Sequence, residues 1–159
     1  MVGRDIIEKG KRGEMLFTEW LDKAKLAYVS ILQDEKSLAT LFQGEVKRPD
    51  FIVLLDSIGV IAVDVKNCKK SNGFTQNVDK QKRTLKFDCL FRMPVWYAFF
   101  DEDDENGPWY WVNAMKVFEV GEIRHNGIDD EDFYFIEEKH FVQITRPEDL
   151  AKLFLPMDP

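Results

Sequence analysis

The chain has 159 residues, 45% of them hydrophobic and 13% aromatic, and a net charge of −7. Such a chain is long and apolar enough for one globular domain over residues 1–159, which excludes disorder, and the overall acidity excludes a protein that coats nucleic acid indiscriminately. No apolar run approaches the roughly 20 residues of a membrane helix.

The opening MVGRDIIEKGKRGEM lacks a secretory apolar segment. Only two cysteines occur, Cys68 and Cys89, and they read as reduced thiols, so a cytoplasmic location without a membrane partner is expected. Neither has zinc-ligand spacing, and His125 and His140 lie far downstream.

In chain order, GEMLFTEWLDKAKLAY puts Leu16, Phe17, Trp20, Leu21, Ala24 and Tyr28 on one stripe at helical spacing, which predicts a first helix with Gly13 near its start. YVSIL reads as a short strand and KSLATLF as a short helix. Phe51–Leu55 and Ile58–Val65 are β-branched and apolar on both faces. Separated by Asp56-Ser57, they predict a central hairpin covered on both sides. TQNVDKQKRTLKFDCLF predicts a second helix with Val78, Leu85 and Cys89 facing inward. PVWYAFF, WYWV, FYFI and FVQI read as strands, and the bulky WYW run as strand core. NAMKVFEVGE fits either type. DEDDENGP and NGIDDED read as charged loops. In TRPEDLAKLF, Thr145 and Glu148 have the spacing of a capping box that opens a last helix. Together these predict an α/β fold, a central mixed sheet flanked by helices.

Charge is distributed unevenly. Residues 1–65 carry 9 basic and 11 acidic residues, 66–92 carry 8 and 2, and 93–159 carry 5 and 16, for nets of −2, +6 and −11. The basic island includes Lys69, Lys70, Lys82 and Arg83. It fits a solvated helix face or a surface for a polyanion.

The island follows a cluster of acids and a lysine at the ends of the two apolar runs. Asp64 and Lys66, two residues apart on a strand, share a face. Pairing Leu55 with Ile58 sets Asp50 opposite Val63, one residue from Asp64. Two carboxylates and an ammonium at one sheet end fit a salt bridge that caps the strands. They fit equally a divalent cation held by oxygen ligands, with the lysine orienting water or stabilising phosphate charge.

The pattern P-D, thirteen residues, D-V-K resembles the signature of the PD-(D/E)xK nuclease superfamily, whose members have the restriction endonuclease-like three-layer core. The helix, hairpin, helix, strand order over Gly13–Phe100 is similar to that core, and KRGEMLFTEWL resembles the G-x-x-E opening of the Holliday junction resolvase-like branch. The resemblance implies Asp50 and Asp64 as ligands of Mg²⁺ or Mn²⁺ with the Val65 carbonyl as a further ligand. It implies Lys66 as the catalytic lysine, Glu14 as an accessory acid, and Gln81 on the following helix near the site; an acid at a helix N-terminus and a partly exposed polar helix residue are the other readings of Glu14 and Gln81. It also implies an endonuclease that hydrolyses DNA in repair, recombination or defence. A homodimer would suit the cutting of two strands, with the aromatic C-terminal strands as its interface. A catalytically decayed binding module and an RNA nuclease stay open as alternatives. The joint presence of both acids and the lysine speaks against decay.

Overall fold

A computed structural model describes residues 2–56 and 58–155. Helix α1 (Val2–Lys23) leads to strand β1 (Ala27–Ser30), two 3-10 turns (Glu35–Ser37 and Thr40–Phe42), and strands β2 (Phe51–Leu55), β3 (Gly59–Cys68) and β4 (Gly73–Asn77). Helix α2 (Val78–Phe91) is followed by β5 (Val95–Asp101), β6 (Trp109–Asn113), α3 (Ala114–Val120), β7 (Glu122–Asn126), β8 (Glu131–Glu137) and β9 (Val142–Ile144). A 3-10 segment, Pro147–Phe154, comes last.

The central sheet has the order β1-β2-β3-β5-β6-β9, with β3 and β5 parallel and every other neighbour antiparallel. Alternation along β3 sorts its side chains between two layers. Ile61, Val63 and Val65 face α1, where they pack with Phe17, Leu21, Phe51, Trp109 and Trp111. Ala62 faces the other way, into a layer built with Phe87 of α2, Phe74, Tyr97, Phe99, Tyr134 and Ile136. The expected mixed sheet flanked by helices is the observed architecture. A second sheet, β4-β8-β7, closes the α2 side.

Phe17 anchors the α1 layer. Its ring meets Trp109 edge-on at 5.0 Å between centroids and Phe51 at 5.3 Å, contacts that add about 0.5–1.5 kcal/mol each beyond area burial. The WYW run is strand core as expected, with Trp109, Tyr110 and Trp111 all buried.

Several boundaries differ from the sequence reading. Helix α1 begins at Val2, so Gly13 lies in its interior. Glycine costs about 1 kcal/mol against alanine there, and close approach explains its use: a Cβ at Gly13 would stand 2.9 Å from the Asn67 Cβ on β3. The stretch read as a helix at KSLATLF forms two separate 3-10 turns. The hairpin pairs Leu55 with Gly59 and Phe51 with Val63, one residue off the expected register, because its turn is longer by one; Ser57 in that turn lies outside the described residues.

Helix α2 starts three residues later than expected. Thr75, Gln76 and Asn77 belong to β4, and the Asn77 side chain caps the helix by accepting from the Lys80 amide. Its buried residues are Gln81, Thr84 and Phe87, while Cys89 is exposed. The ambiguous NAMKVFEVGE resolves into α3 and the start of β7. The last segment is 3-10, and Asp149, not Thr145 with Glu148, caps it by accepting from the Thr145 and Arg146 amides at 3.2 and 3.1 Å.

Candidate functional site

Strand β3 outruns β2. The antiparallel ladder closes where the Asp50 amide donates to the Val63 carbonyl at 2.9 Å, and β3 continues to Cys68 with only β5 beside it. The notch left past the start of β2 brings Asp50 next to Asp64, closer than the sequence register implied.

Asp64 is 1% exposed, yet it carries charge. Its Oδ2 lies 2.6 Å from the Lys66 ammonium, and its Oδ1 accepts from the ammonium of Lys47. Burial works against its ionisation, but the two cations outweigh it and hold the carboxyl below the usual range. Lys66 in turn is raised: burial opposes its charge and Asp64 more than compensates. Its ammonium also stands 5.9 Å from the ring centroid of Tyr97.

Asp50 accepts from the Val65 amide at 2.7 Å, which fixes its carboxylate against β3. Burial and the neighbouring charge of Asp64 push it up to about 7. Glu14 reaches the same field from α1. It lies well inside that helix, so the dipole of the helix N-terminus does not explain it. Burial, then Asp64, raises its carboxyl above the usual range. Asp50, Asp64, Val65 and Lys66 therefore line one notch, and Glu14 is coupled to it through space from α1.

The sequence reading missed Lys47. It sits in the irregular GEVKRPD segment, where no periodicity marks it; the available signal was a cation three residues before Asp50, free of a helical or strand pattern.

The other expected residues behave differently. Gln81 has no exposed surface, and both ends of its amide are already engaged: the nitrogen donates to the Ala114 carbonyl at 2.6 Å and the oxygen accepts from the Tyr97 hydroxyl at 2.6 Å. The basic island is largely paired. Lys69 meets Asp103 at 2.8 Å, Lys70 meets Glu138 at 3.2 Å and the Tyr110 hydroxyl at 3.0 Å, and Arg83 stands 3.8 Å from Asp79. Lys82 is exposed beside Asp79, Glu131 and Asp132. On α1, Lys9 pairs with Glu102 at 2.7 Å and Arg12 with Glu105, so the DEDDENGP loop is drawn against the helix that carries Glu14.

The three hard carboxylates Asp64, Asp50 and Glu14 have the donor chemistry of a Mg²⁺ or Mn²⁺ site. Among the described residues, however, no three acidic, histidine or cysteine side chains already stand together as a cage for an ion. The cations on Asp64 are the chain's own lysines.

The chain matches the structure of Hjc from Archaeoglobus fulgidus, a Holliday junction resolvase from an archaeal hyperthermophile, with a TM-score of 0.57 over 91% of this chain and 98% of that one. At 14% identity this likeness shows the fold. No family model and no curated protein matches the sequence. Among the described residues no helix is long and apolar enough to cross a membrane.

Proposed function

We propose that this chain is a divalent-metal-dependent endonuclease that hydrolyses DNA phosphodiester bonds, with its 159 residues acting as one nuclease domain. The observation that carries the reading is Asp64: a carboxylate 1% exposed, gripped by two lysine side chains at the open end of β3. Burying charge is expensive, and structural ion pairs rarely repay it; a site that must bind a cation and a phosphate gives it a purpose. The fold shared with a resolvase supports the same reading.

Asp50, Asp64 and Glu14 would hold Mg²⁺ or Mn²⁺ with the Val65 carbonyl. When bound, the ion would polarise the scissile phosphate and lower the pKa of water. Lys66, kept charged by Asp64 and braced near Tyr97, donates hydrogen bonds to the phosphate oxygens or to the attacking water as negative charge builds. The Val65 amide orients Asp50. Lys82 and the other cations of the basic island meet flanking phosphates, which positions the duplex without reading its sequence. Two copies would serve the two strands of a duplex or junction.

The test is cleavage of labelled single-stranded, duplex and four-way-junction DNA with Mg²⁺ or Mn²⁺, wild type beside Asp64→Ala, with circular dichroism to show that the variant is folded. Cutting by wild type alone is expected, and the preferred substrate names the class of DNA. Equal metal-dependent cutting by a folded Asp64→Ala protein overturns the assignment.

A further inference from the structure

Asp64 has one negative charge and two lysines. Lys66 is fixed on β3, in the strand ladder beside Phe99 of β5. Lys47 reaches the same carboxylate from an irregular segment: its amide donates to the Arg83 carbonyl of α2 at 3.1 Å and the preceding Val46 is buried. The main chain is thus anchored while the long side chain, 22% exposed, spans from α2 to the notch. The two contacts are not equivalent. Both side chains are equally long and 22% exposed, but Lys66 hangs from the strand ladder on the face it shares with Asp64, whereas Lys47 reaches Oδ1 from a segment outside the sheet that is tied to α2.

We propose that Lys47 is the resident counter-ion of Asp64, holding the position beside Oδ1 that a divalent cation takes and releasing it when cation and phosphate arrive. This rests on the reading of the notch as a metal site. A divalent cation and the Lys47 ammonium compete for the same carboxylate oxygen, so the lysine weakens cation binding to the free protein. Once displaced, its ammonium lies within reach of the incoming phosphate, which supplies a new anion. Cation and polyanion therefore bind cooperatively, and by linkage each strengthens the other by the same factor. The arrangement keeps Asp64 neutralised at all times: a lysine before loading, a metal ion after it. An unpaired buried carboxylate never arises.

Calorimetry with Mn²⁺ alone tests this on wild type, Lys47→Met and Lys11→Met. Lys11 acts on Glu14 through space without touching Asp64, so its removal reports the general field. Lys47→Met is expected to bind Mn²⁺ about tenfold more tightly than wild type, and Lys11→Met within about threefold. An uncleaved duplex with Ca²⁺ supplies the second readout: the duplex strengthens Ca²⁺ binding by wild type, and the gain shrinks in Lys47→Met. Unchanged or weaker Mn²⁺ binding by Lys47→Met, or a gain no larger than that of Lys11→Met, overturns the proposal while the metal site stands. Absence of Mn²⁺ binding by every protein overturns the metal site and this proposal together. Lys47→Gln, which keeps a polar tip, replaces Lys47→Met if the latter loses its cooperative melt.

Discussion

The two faces of the central sheet both bury apolar layers but differ in the polar groups they enclose. On the α1 face, Phe17, Leu21, Phe51, Val53, Ile61, Val63 and Trp111 make an apolar layer in which the Phe17 ring packs at tilted angles against Phe51 and Trp111. On the α2 face stand all four of the buried polar residues among those described, Asp64, Gln76, Gln81 and Thr84, together with the hydroxyl of Tyr97. An apolar layer gains free energy from every side chain it buries. Polar groups within such a layer gain only if each finds a partner, so they specify geometry more than they add stability. Both faces bury an apolar layer, and the α2 face adds to its layer the polar groups around Asp64.

The largest effect that would test this division comes from Phe17→Ala. It should cost about 3–5 kcal/mol in urea unfolding, while DNA cleavage per folded molecule stays near wild type. An equal loss of cleavage by the folded fraction would mean that the two faces are not separable.

Asp50→Asn comes next, and its effect depends on pH. An ordinary aspartate titrates near pH 4, but folded Asp50 titrates at about 7. Between these values the folded chain keeps a proton that the unfolded chain has lost, so without metal this residue makes stability fall as pH rises from about 4 to 7. Asp64, held low, stays ionised throughout that window. In metal-free buffer Asp50→Asn should match wild type at pH 4 and exceed it at pH 8, on the order of a few kcal/mol. Chemical denaturation at the two pH values reads the sign directly.

Gln81→Leu should cost about 1–3 kcal/mol, because it leaves the Ala114 carbonyl and Tyr97 hydroxyl short of a partner. Cleavage per folded molecule and DNA affinity should hold. Weaker DNA binding at unchanged stability would return Gln81 to the substrate side. The smallest effect concerns the two thiols. Burial pushes Cys68 up to about 12, whereas Cys89 is exposed. One iodoacetamide label per chain at pH 8, on Cys89, is expected by mass spectrometry.

Much of the α1 face was legible in the sequence, because Leu16, Phe17, Trp20 and Leu21 keep helical spacing and the β-branched runs of β2 and β3 keep theirs. The polar groups of the α2 face were legible only at Asp50, Asp64 and Lys66, where a short pattern marks them. Strand β4 reads Gly-Phe-Thr-Gln-Asn, too polar to announce a strand; its pairing with β8, more than fifty residues away, makes it one. Gln81 looked like a surface residue because its burial depends on Tyr97 and Ala114, which the local sequence does not reveal. Lys47 was hidden for the same reason: its partner lies 17 residues on. The register of β2 on β3 turned on one residue of turn length, which apolarity on both faces leaves unspecified.

The acidic loop held against α1 bears on how DNA binding would respond to salt. Cations on a protein surface are normally attended by small ions, and association with DNA gains entropy as the counterions condensed on its phosphates disperse. Lys9, Arg12 and Lys69 are attended instead by Glu102, Glu105 and Asp103. These carboxylates are tethered: exchanged for a phosphate, they remain nearby and repel it. Salt screens that repulsion as it screens the attraction. If the chain binds DNA as proposed, the fall of affinity with salt should therefore be shallower than the number of lysines and arginines on α1 and in the basic island implies, and such a surface would trade strength on any DNA for discrimination in favour of DNA whose shape keeps its phosphates clear of the loop.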